Sequence, residues 1–190
     1  MRYEAQLEFR EDKATEAAEL LLELRGGRMS YVKLLKLMYL ADRYALQSWG
    51  RPISFDAYYS LPNGPILSTT LDLIHEEESP GEALDRWHSH IQTHATDHEV
   101  SIKQGTSKDR LSQAEREALQ AIFAEHGEKS RWELVELTHK LPEYRRPEGR
   151  GRVPITVREI LLAGGWEEED VVAALDDLAA ENGAYTNWSR

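Results

Sequence analysis

The stretch VKLLKLMYLADRYALQSWGRPISFDAYYSLPNGP, residues 32–65, decides the fold of this chain. Its first half predicts a helix at about residues 31–48. On a helical wheel, apolar side chains cover well over half of the circumference. A helix that is apolar on nearly all sides belongs inside a domain, so we expect this one to form the centre of a core. The only polar strip consists of Lys33, Lys36, Arg43 and Gln47.

Asp42 is the exception on the apolar side of this helix, where it projects between Leu35 and Met38. A buried carboxylate must find hydrogen-bond donors or lose its charge. We therefore expect Asp42 to accept hydrogen bonds from the Gly50–Arg51 turn or from an arginine, and so to lock the helix to the following turn. A general acid or base would need a second catalytic group beside it, and the sequence offers none.

The second half of the stretch carries turn and strand signals. Gly50 is a C-terminal cap for the helix. Residues 53–61 are rich in Ile, Phe and Tyr, which favours a strand. The sequence Pro62-Asn63-Gly64-Pro65 indicates a tight turn, and Pro65 is suited to the first position of the next helix.

Helix signals dominate the remainder of the chain. Residues 12–25 have helical apolar spacing, and a final helix at about 167–182 begins with four acidic residues that favourably oppose its dipole. Four capping boxes predict further helix starts. They are Ser79/Glu82, Ser112/Glu115, Ser130/Glu133 and Thr156/Glu159.

One other segment has strand alternation, the sequence HEVSIKQ at residues 98–104. We predict a mainly α fold: a compact multi-helix domain around the buried central helix, with a small antiparallel β element that pairs residues 57–60 with 99–103.

Composition restricts the class of protein. The chain has 190 residues, a net charge of -11 and no cysteine. This length fits one domain, and no run approaches the ~20 apolar residues of a membrane span. The lack of cysteines and of an apolar leader favours the cytoplasm. A strongly negative field opposes nucleic-acid binding and would attract a basic partner.

Four histidines form the first candidate for chemistry. His88, His90, His94 and His98 fall within eleven residues, and the last three would line one face of a helix. Imidazoles at this spacing can bind zinc, but metal sites usually draw ligands from more than one element. The alternative is a solvated polar helix that runs into a loop. We predict no metal and no cofactor.

An arginine cluster forms the second candidate. It interrupts the acidic sequence within a Gly- and Pro-rich segment, residues 145–154, that predicts a loop. Arginine recognises carboxylates and phosphates and is enriched at interface hot spots, so the loop is either a binding surface or a solvated linker. Its members are Arg145, Arg146, Arg150 and Arg152. No nucleotide-binding, hydrolase or zinc-ribbon motif is present, and we expect no enzyme.

The stretch at residues 32–65 is similar to the leading motif of the Panacea domain, also called the SocA-like or GepA-like domain. A second segment, LVELTH at residues 134–139, resembles a later family motif, with Tyr144 where tryptophan is frequent. The likeness spans about residues 12–163. The residues that match are Asp42, Arg43, Gly50, Pro52, Gly64, Pro65 and His139, and we expect them to form the fold.

This resemblance implies a bacterial or phage antitoxin of mostly helical fold with a small β element. Members are encoded beside unrelated toxins and generally neutralise them by direct contact, whereas the SocA type acts as an adaptor that delivers its toxin to a protease. The resemblance implies no catalytic residues. A DNA-binding autoregulator of the same operon is the rival hypothesis, and a homodimer is a further option.

We divide the chain into an antitoxin-like domain, residues 1–165, and a C-terminal acidic helix and tail, residues 166–190, packed on the same domain. The contact surfaces for a cognate toxin are expected on the arginine loop and on the final helix with Trp188, because partner-specific variation belongs outside the motif.

Overall fold

The computed structural model describes residues 7–75, 86–103, 109–149 and 151–188, and the backbone alone for residues 185–188. The capping box Ser79/Glu82 and Arg150 lie outside the described residues.

Eight helices and six short strands occur within these ranges, which confirms the mainly α fold with a small β element. The helices are α1 (Glu11–Arg25), α2 (Tyr31–Trp49), α3 (Ser68–His75), α4 (Arg86–His90), α5 (Gln113–His126), α6 (Arg131–Thr138), α7 (Val157–Ala163) and α8 (Glu168–Trp188). The strands are β1 (Arg28–Ser30), β2 (Tyr58–Leu61), β3 (Gly64–Leu67), β4 (Ile91–His94), β5 (Glu99–Ile102) and β6 (Val153–Ile155).

Helix α2 is the centre of the domain, as its apolar circumference predicted. It contacts α1, α3, α5, α6 and α7 as well as three strands. Twelve of its nineteen residues are buried. An apolar surface of this extent is stabilised only when other elements cover it on nearly all sides, which is what these five helices do.

Local signals set the ends of the helices. Gly50 ends α2 in the left-handed conformation, with φ 76°, and its N–H donates to the Leu46 carbonyl. The capping boxes that begin α5, α6 and α7 are all formed, with reciprocal bonds between the Ser or Thr and the Glu. These three predicted starts are confirmed.

The strands form two separate three-stranded antiparallel sheets, in the orders β1-β5-β4 and β3-β2-β6. The predicted strand near residues 99–103 exists as β5, but its predicted pairing with residues 57–60 is wrong. β5 pairs with β1 and with β4, whereas β2 pairs with β3 and with β6.

The error arises from the turn at residues 62–63. Gly64 has φ 95° and returns the chain into β3, so Pro65 lies opposite Ser60 in a strand instead of beginning a helix. Helix α3 begins three residues later, at Ser68. Sequential strands commonly pair with each other, and a proline is tolerated on the edge strand β3. The other edge of β2 is taken by β6, in a segment predicted to be a loop.

Asp42 is buried and accepts four hydrogen bonds from Ile53, Ser54 and Tyr58, the last of which begins β2. Its Oδ1 accepts from the N–H groups of Ile53 and Ser54 at 3.0 and 3.1 Å, and its Oδ2 accepts from the hydroxyls of Ser54 and Tyr58. The predicted lock therefore forms, but its donors follow the Gly50–Arg51 turn and do not belong to it. Burial raises the pKa of Asp42 to about 6, and these bonds oppose that rise.

The predicted strand at residues 53–61 is shorter in the structure. Residues 53 and 54 bond to Asp42, and Phe55 has φ 56°, which no regular strand accommodates. Only Tyr58–Leu61 is extended as β2.

Helix α8 runs longer than predicted, to Trp188. The apolar spacing of this helix also predicts burial of Val171, Ala174, Leu175, Leu178 and Ala179. Val171, Ala174 and Leu178 are buried and Leu175 is half-buried, but Ala179 is exposed. The division of the chain at residue 165 stays a prediction. Among the described residues, no helix combines the length and apolarity that crossing a membrane requires.

We predict that Asp42→Ala lowers the free energy of unfolding by about 1–3 kcal/mol, because it leaves two buried N–H groups and two hydroxyls without their acceptor. Asp42→Asn should lose much less, since its amide oxygen still accepts from the backbone and its nitrogen can donate to the hydroxyl oxygens. Urea unfolding of both variants measures the difference. Equal losses in Ala and Asn would contradict the role of the hydrogen bonds.

Candidate interaction surface

The arginine loop packs against the β3-β2-β6 sheet. The N–H of Arg145 donates to the Ser60 hydroxyl at 3.2 Å, which fixes the start of the loop on β2. The Arg145 guanidinium bonds to the Pro154 carbonyl at 2.8 Å and forms an ion pair with Glu159. Pro154 lacks an N–H, and Arg145 covers its carbonyl, so the outer edge of β6 is protected from pairing with another strand.

The other arginines are placed differently. Arg152 lies over the ring of Tyr59, 4.7 Å from its centroid, in a cation–π contact. Arg146 is exposed. Arg158 pairs with Glu168 at the start of α8. Arg145 and Arg152 thus both contact the β3-β2-β6 sheet, whereas Arg150 and the Trp188 side chain are outside what the structure describes.

A groove of about 980 Å³ lies beside these arginines, between the β3-β2-β6 sheet and α8. We call it the sheet groove. Its walls include Arg158 and also Tyr59, whose ring contacts Arg152. Its walls are mainly apolar, a composition typical of sites that bind a partner by burial of apolar surface. Among the lining residues are Phe9, Phe55, Tyr59, Ile155, Val172 and Leu175.

Glu181 fixes helix α8 to the rest of the domain. Arg51 donates two hydrogen bonds to Glu181 at 2.6 and 2.7 Å, and Arg10 donates a third at 2.8 Å. Arg51 is the main cause of the lowered pKa of Glu181, and Arg10 adds to it. The Arg10 guanidinium also lies 3.8 Å from the centre of the Phe55 ring. The motif turn and the N-terminal segment therefore hold α8 jointly.

The matched motif residues lie in the scaffold beneath these surfaces. Arg43 donates to Glu143 at 2.7 Å, and Tyr39 donates to the same oxygen at 2.9 Å. Glu143 is buried, so the charged pair ties α2 to the segment after α6. Pro52 is buried in the turn that leads to the donors of Asp42.

Gly64, Pro65 and His139 meet around Lys36. The Lys36 ammonium donates to the Pro65 carbonyl at 2.7 Å. A Cβ on Gly64 would lie 2.8 Å from Lys36 Nζ and 2.8 Å from Thr138 Oγ1, so both the space and the φ of 95° require glycine. His139 stacks on Tyr144, with ring centres 4.6 Å apart, which shows that tyrosine supplies the aromatic face expected here. Burial lowers the pKa of His139, and Lys36 and Arg146 lower it further.

The predicted polar strip of α2 is wrong for both lysines. Lys36 is 1% exposed and Lys33 is 6% exposed. Lys33 bonds to the Gly127 carbonyl, as Lys36 does to Pro65. Burial lowers the pKa of Lys36 to about 7. The position of both lysines in an otherwise apolar helix could have indicated their burial. Lysine is usually exposed, however, and the sequence does not show that backbone carbonyls lie close to these side chains.

The histidines do not line one helix face. Helix α4 ends at His90, His94 ends strand β4, and His98 is in the following turn with φ 56°. His88 contacts the Leu73 carbonyl and His94 contacts the Ser101 hydroxyl, on different elements. Within the described ranges, no group of three or more His, Cys, Asp or Glu is arranged to hold a metal ion.

We predict that the free energy of unfolding rises with pH between about 7 and 9.5, at most by about 1.4 kcal/mol per pH unit from Lys36. Unfolding returns this ammonium to water, so the unfolded chain binds the proton that the folded chain releases above pH 7. Lys36→Met should remove the rise. Urea unfolding of wild type and variant across this range measures it, and parallel curves would show that Lys36 is not the cause.

Comparison with known proteins shows which of these features belong to a known family. The family model described as "Antitoxin SocA-like, Panacea domain" matches residues 34–144, more than half of the chain. The match includes Asp42, Lys36, Gly64 and His139, whereas β6, α7 and α8 lie beyond it. No curated protein and no solved structure matches the chain. The chain belongs to the SocA-like antitoxin family of Panacea domains.

Proposed function

We propose that this chain neutralises a cognate toxin, encoded by a neighbouring gene, by direct protein–protein binding in the cytoplasm. The neutralisation is stoichiometric and requires no catalysis. Membership of the antitoxin family supports the toxin as the partner. The proposal of direct binding rests on the sheet groove, which offers a surface for the toxin.

The composition of the groove supports this assignment. Its walls combine shared and individual parts of the chain, because Phe55 and Tyr59 lie within the matched range and Phe9, Val172 and Leu175 lie outside it. A surface of this kind can differ between family members while the scaffold stays the same. Val172 is 39% exposed, which leaves its side chain available to a partner. A partner that covers this exposed part gains only a fraction of the about 1.5–3 kcal/mol that full burial of an exposed aliphatic side chain contributes.

The arginines support a partner with acidic or carbonyl groups at the rim. Arg152 is held by the Tyr59 ring, so less side-chain freedom is lost when it binds. Arg145 and Arg158 already pair with Glu159 and Glu168. With the net charge of -11, this pairing leaves little positive surface for DNA, so operon regulation is a weaker proposal than toxin binding.

Delivery of the toxin to a protease is the alternative that the family raises. The two routes differ in the fate of the toxin. Direct neutralisation leaves the toxin present in a stable complex, whereas an adaptor lowers its level in cells. Immunoblotting of the tagged toxin during co-expression therefore separates them.

We predict that Val172→Asp weakens binding of the neighbouring gene's product at least about tenfold, because a carboxylate in the groove would lose its hydration when an apolar partner surface covers it. Leu162→Asp is the matched control, since Leu162 is 41% exposed on α7 and lines no part of the groove. Growth rescue and co-purification are the measurements. Equal rescue by the two variants would place the contact elsewhere, and no rescue by wild type would reject the proposed function.

A further inference from the structure

A second groove, of about 700 Å³, lies between the C-terminal end of α2 and α8. We call it the acidic groove. The aromatic wall consists of the end of α2 and the residue that packs on it, namely Trp49, Gly50, Arg51 and Trp166. The α8 wall consists of Glu167 and of residues of α8, namely Asp170, Ala173, Ala174, Asp177, Leu178 and Glu181.

The aromatic side of the acidic groove is rigid and accessible. The indole N–H of Trp166 donates to the Gln47 carbonyl at 2.9 Å, and a Cβ on Gly50 would lie 3.1 Å from the Trp166 ring. The glycine thus permits the close approach of Trp166 to α2. Trp49 is 39% exposed and packs edge-on against Tyr44, with ring centres 6.0 Å apart. Exposed tryptophans on fixed elements are typical of interface hot spots.

The opposite wall carries uncompensated negative charge. Glu167, Asp170 and Asp177 form no ion pair or side-chain hydrogen bond with any residue that the structure describes. Arg51 is the one cation on the walls within the described ranges, and Glu181 and Glu115 already bind it. Helix α8 contains no lysine or arginine at all.

Stabilisation of the helix dipole explains only part of this charge. Glu167 and Asp170 are close enough to the N-terminus of α8 to oppose its dipole, but that effect fades after the first turn. Asp177 is two turns beyond Asp170, about 10 Å along the axis, and lies on the same side of the helix. Neither the dipole nor an internal partner accounts for Asp177.

We propose that the acidic groove binds a lysine- or arginine-bearing segment of the toxin. The aromatic wall offers cation–π contacts and the α8 wall offers carboxylates, and both kinds of group bind protein cations. The net charge of -11 steers such a segment toward the chain before contact. This inference rests on the proposed function, because it assigns the cation to the toxin.

The first experiment uses a hexa-arginine peptide as the probe, with binding measured at low salt. Asp170→Asn with Asp177→Asn should weaken peptide binding at least about fivefold. The control pair, Glu136→Gln with Glu169→Gln, removes the same charge from positions that line neither groove and should change binding less than twofold. Equal losses in the two pairs would show that only the overall field attracts cations, and would overturn the inference.

The aromatic wall is tested with the same peptide. Trp49→Leu should weaken binding, whereas Trp132→Leu should not, because Trp132 is 56% exposed on α6 and lines neither groove. Circular dichroism checks that each variant is folded. Equal affinity for the two tryptophan variants would remove the aromatic wall from the proposal.

The second experiment measures the affinity of the neighbouring gene's product at 50 and 200 mM salt. We expect the Asp170/Asp177 pair to bind at least about tenfold more weakly and with a smaller salt dependence than wild type. If wild type binds and both charge pairs bind equally well, the inference fails while the proposed function stands. If wild type does not bind, the proposed function fails, and the peptide still reports whether the groove binds cations. Sedimentation equilibrium tests whether a second copy of this chain occupies the acidic groove instead. Self-association of wild type that is lost in the Asp170→Asn/Asp177→Asn variant would overturn assignment of the groove to the toxin.

Discussion

The fold depends on one buried carboxylate. Asp42 accepts hydrogen bonds from two backbone N–H groups and two hydroxyls between residues 53 and 58, in the part of the chain that follows α2. The irregular backbone at Phe55 follows from this constraint, because residues 53 and 54 must turn toward the helix before β2 can begin. From that point the hairpin of β2 and β3 and the edge strand β6 are placed on one side of α2. The position of the sheet groove is set by the same interaction.

Three other charged side chains of α2 also bond to later segments of the chain. Lys36 binds the carbonyl of Pro65, Lys33 binds that of Gly127, and Arg43 shares Glu143 with Tyr39. Each bond joins α2 to a different later segment. Apolar packing alone permits many arrangements of helices around an apolar helix. A buried charged group permits few arrangements, because it must lie within bonding distance of its partner. Each charged group of α2 is thus bonded to one particular later segment of the chain.

The sequence was informative wherever the signal is local. The central helix, its glycine cap, three capping boxes and the strand at residues 99–102 follow from spacing and from side chains within one turn of each other. The pairing of strands was not predictable, because Gly64-Pro65 is typical of both a hairpin and a helix start, and the partner β6 is some ninety residues away. The grooves were missed for the same reason, since Phe9 and Leu175 meet only after folding. Their apolar spacing predicts burial but not a shared wall.

The attachment of α8 has a consequence for how such a chain can diversify. Its polar attachments to the rest of the domain include Glu168, Glu181 and Asn182, and none of these bonds involves Asp42, Lys36 or Glu143. Substitutions on the outer surface of α8 therefore leave the folding constraints of α2 untouched. Under the proposed function, such substitutions would change the contacts with the toxin and leave those buried bonds in place. On that proposal, a change of partner need not alter the core around α2.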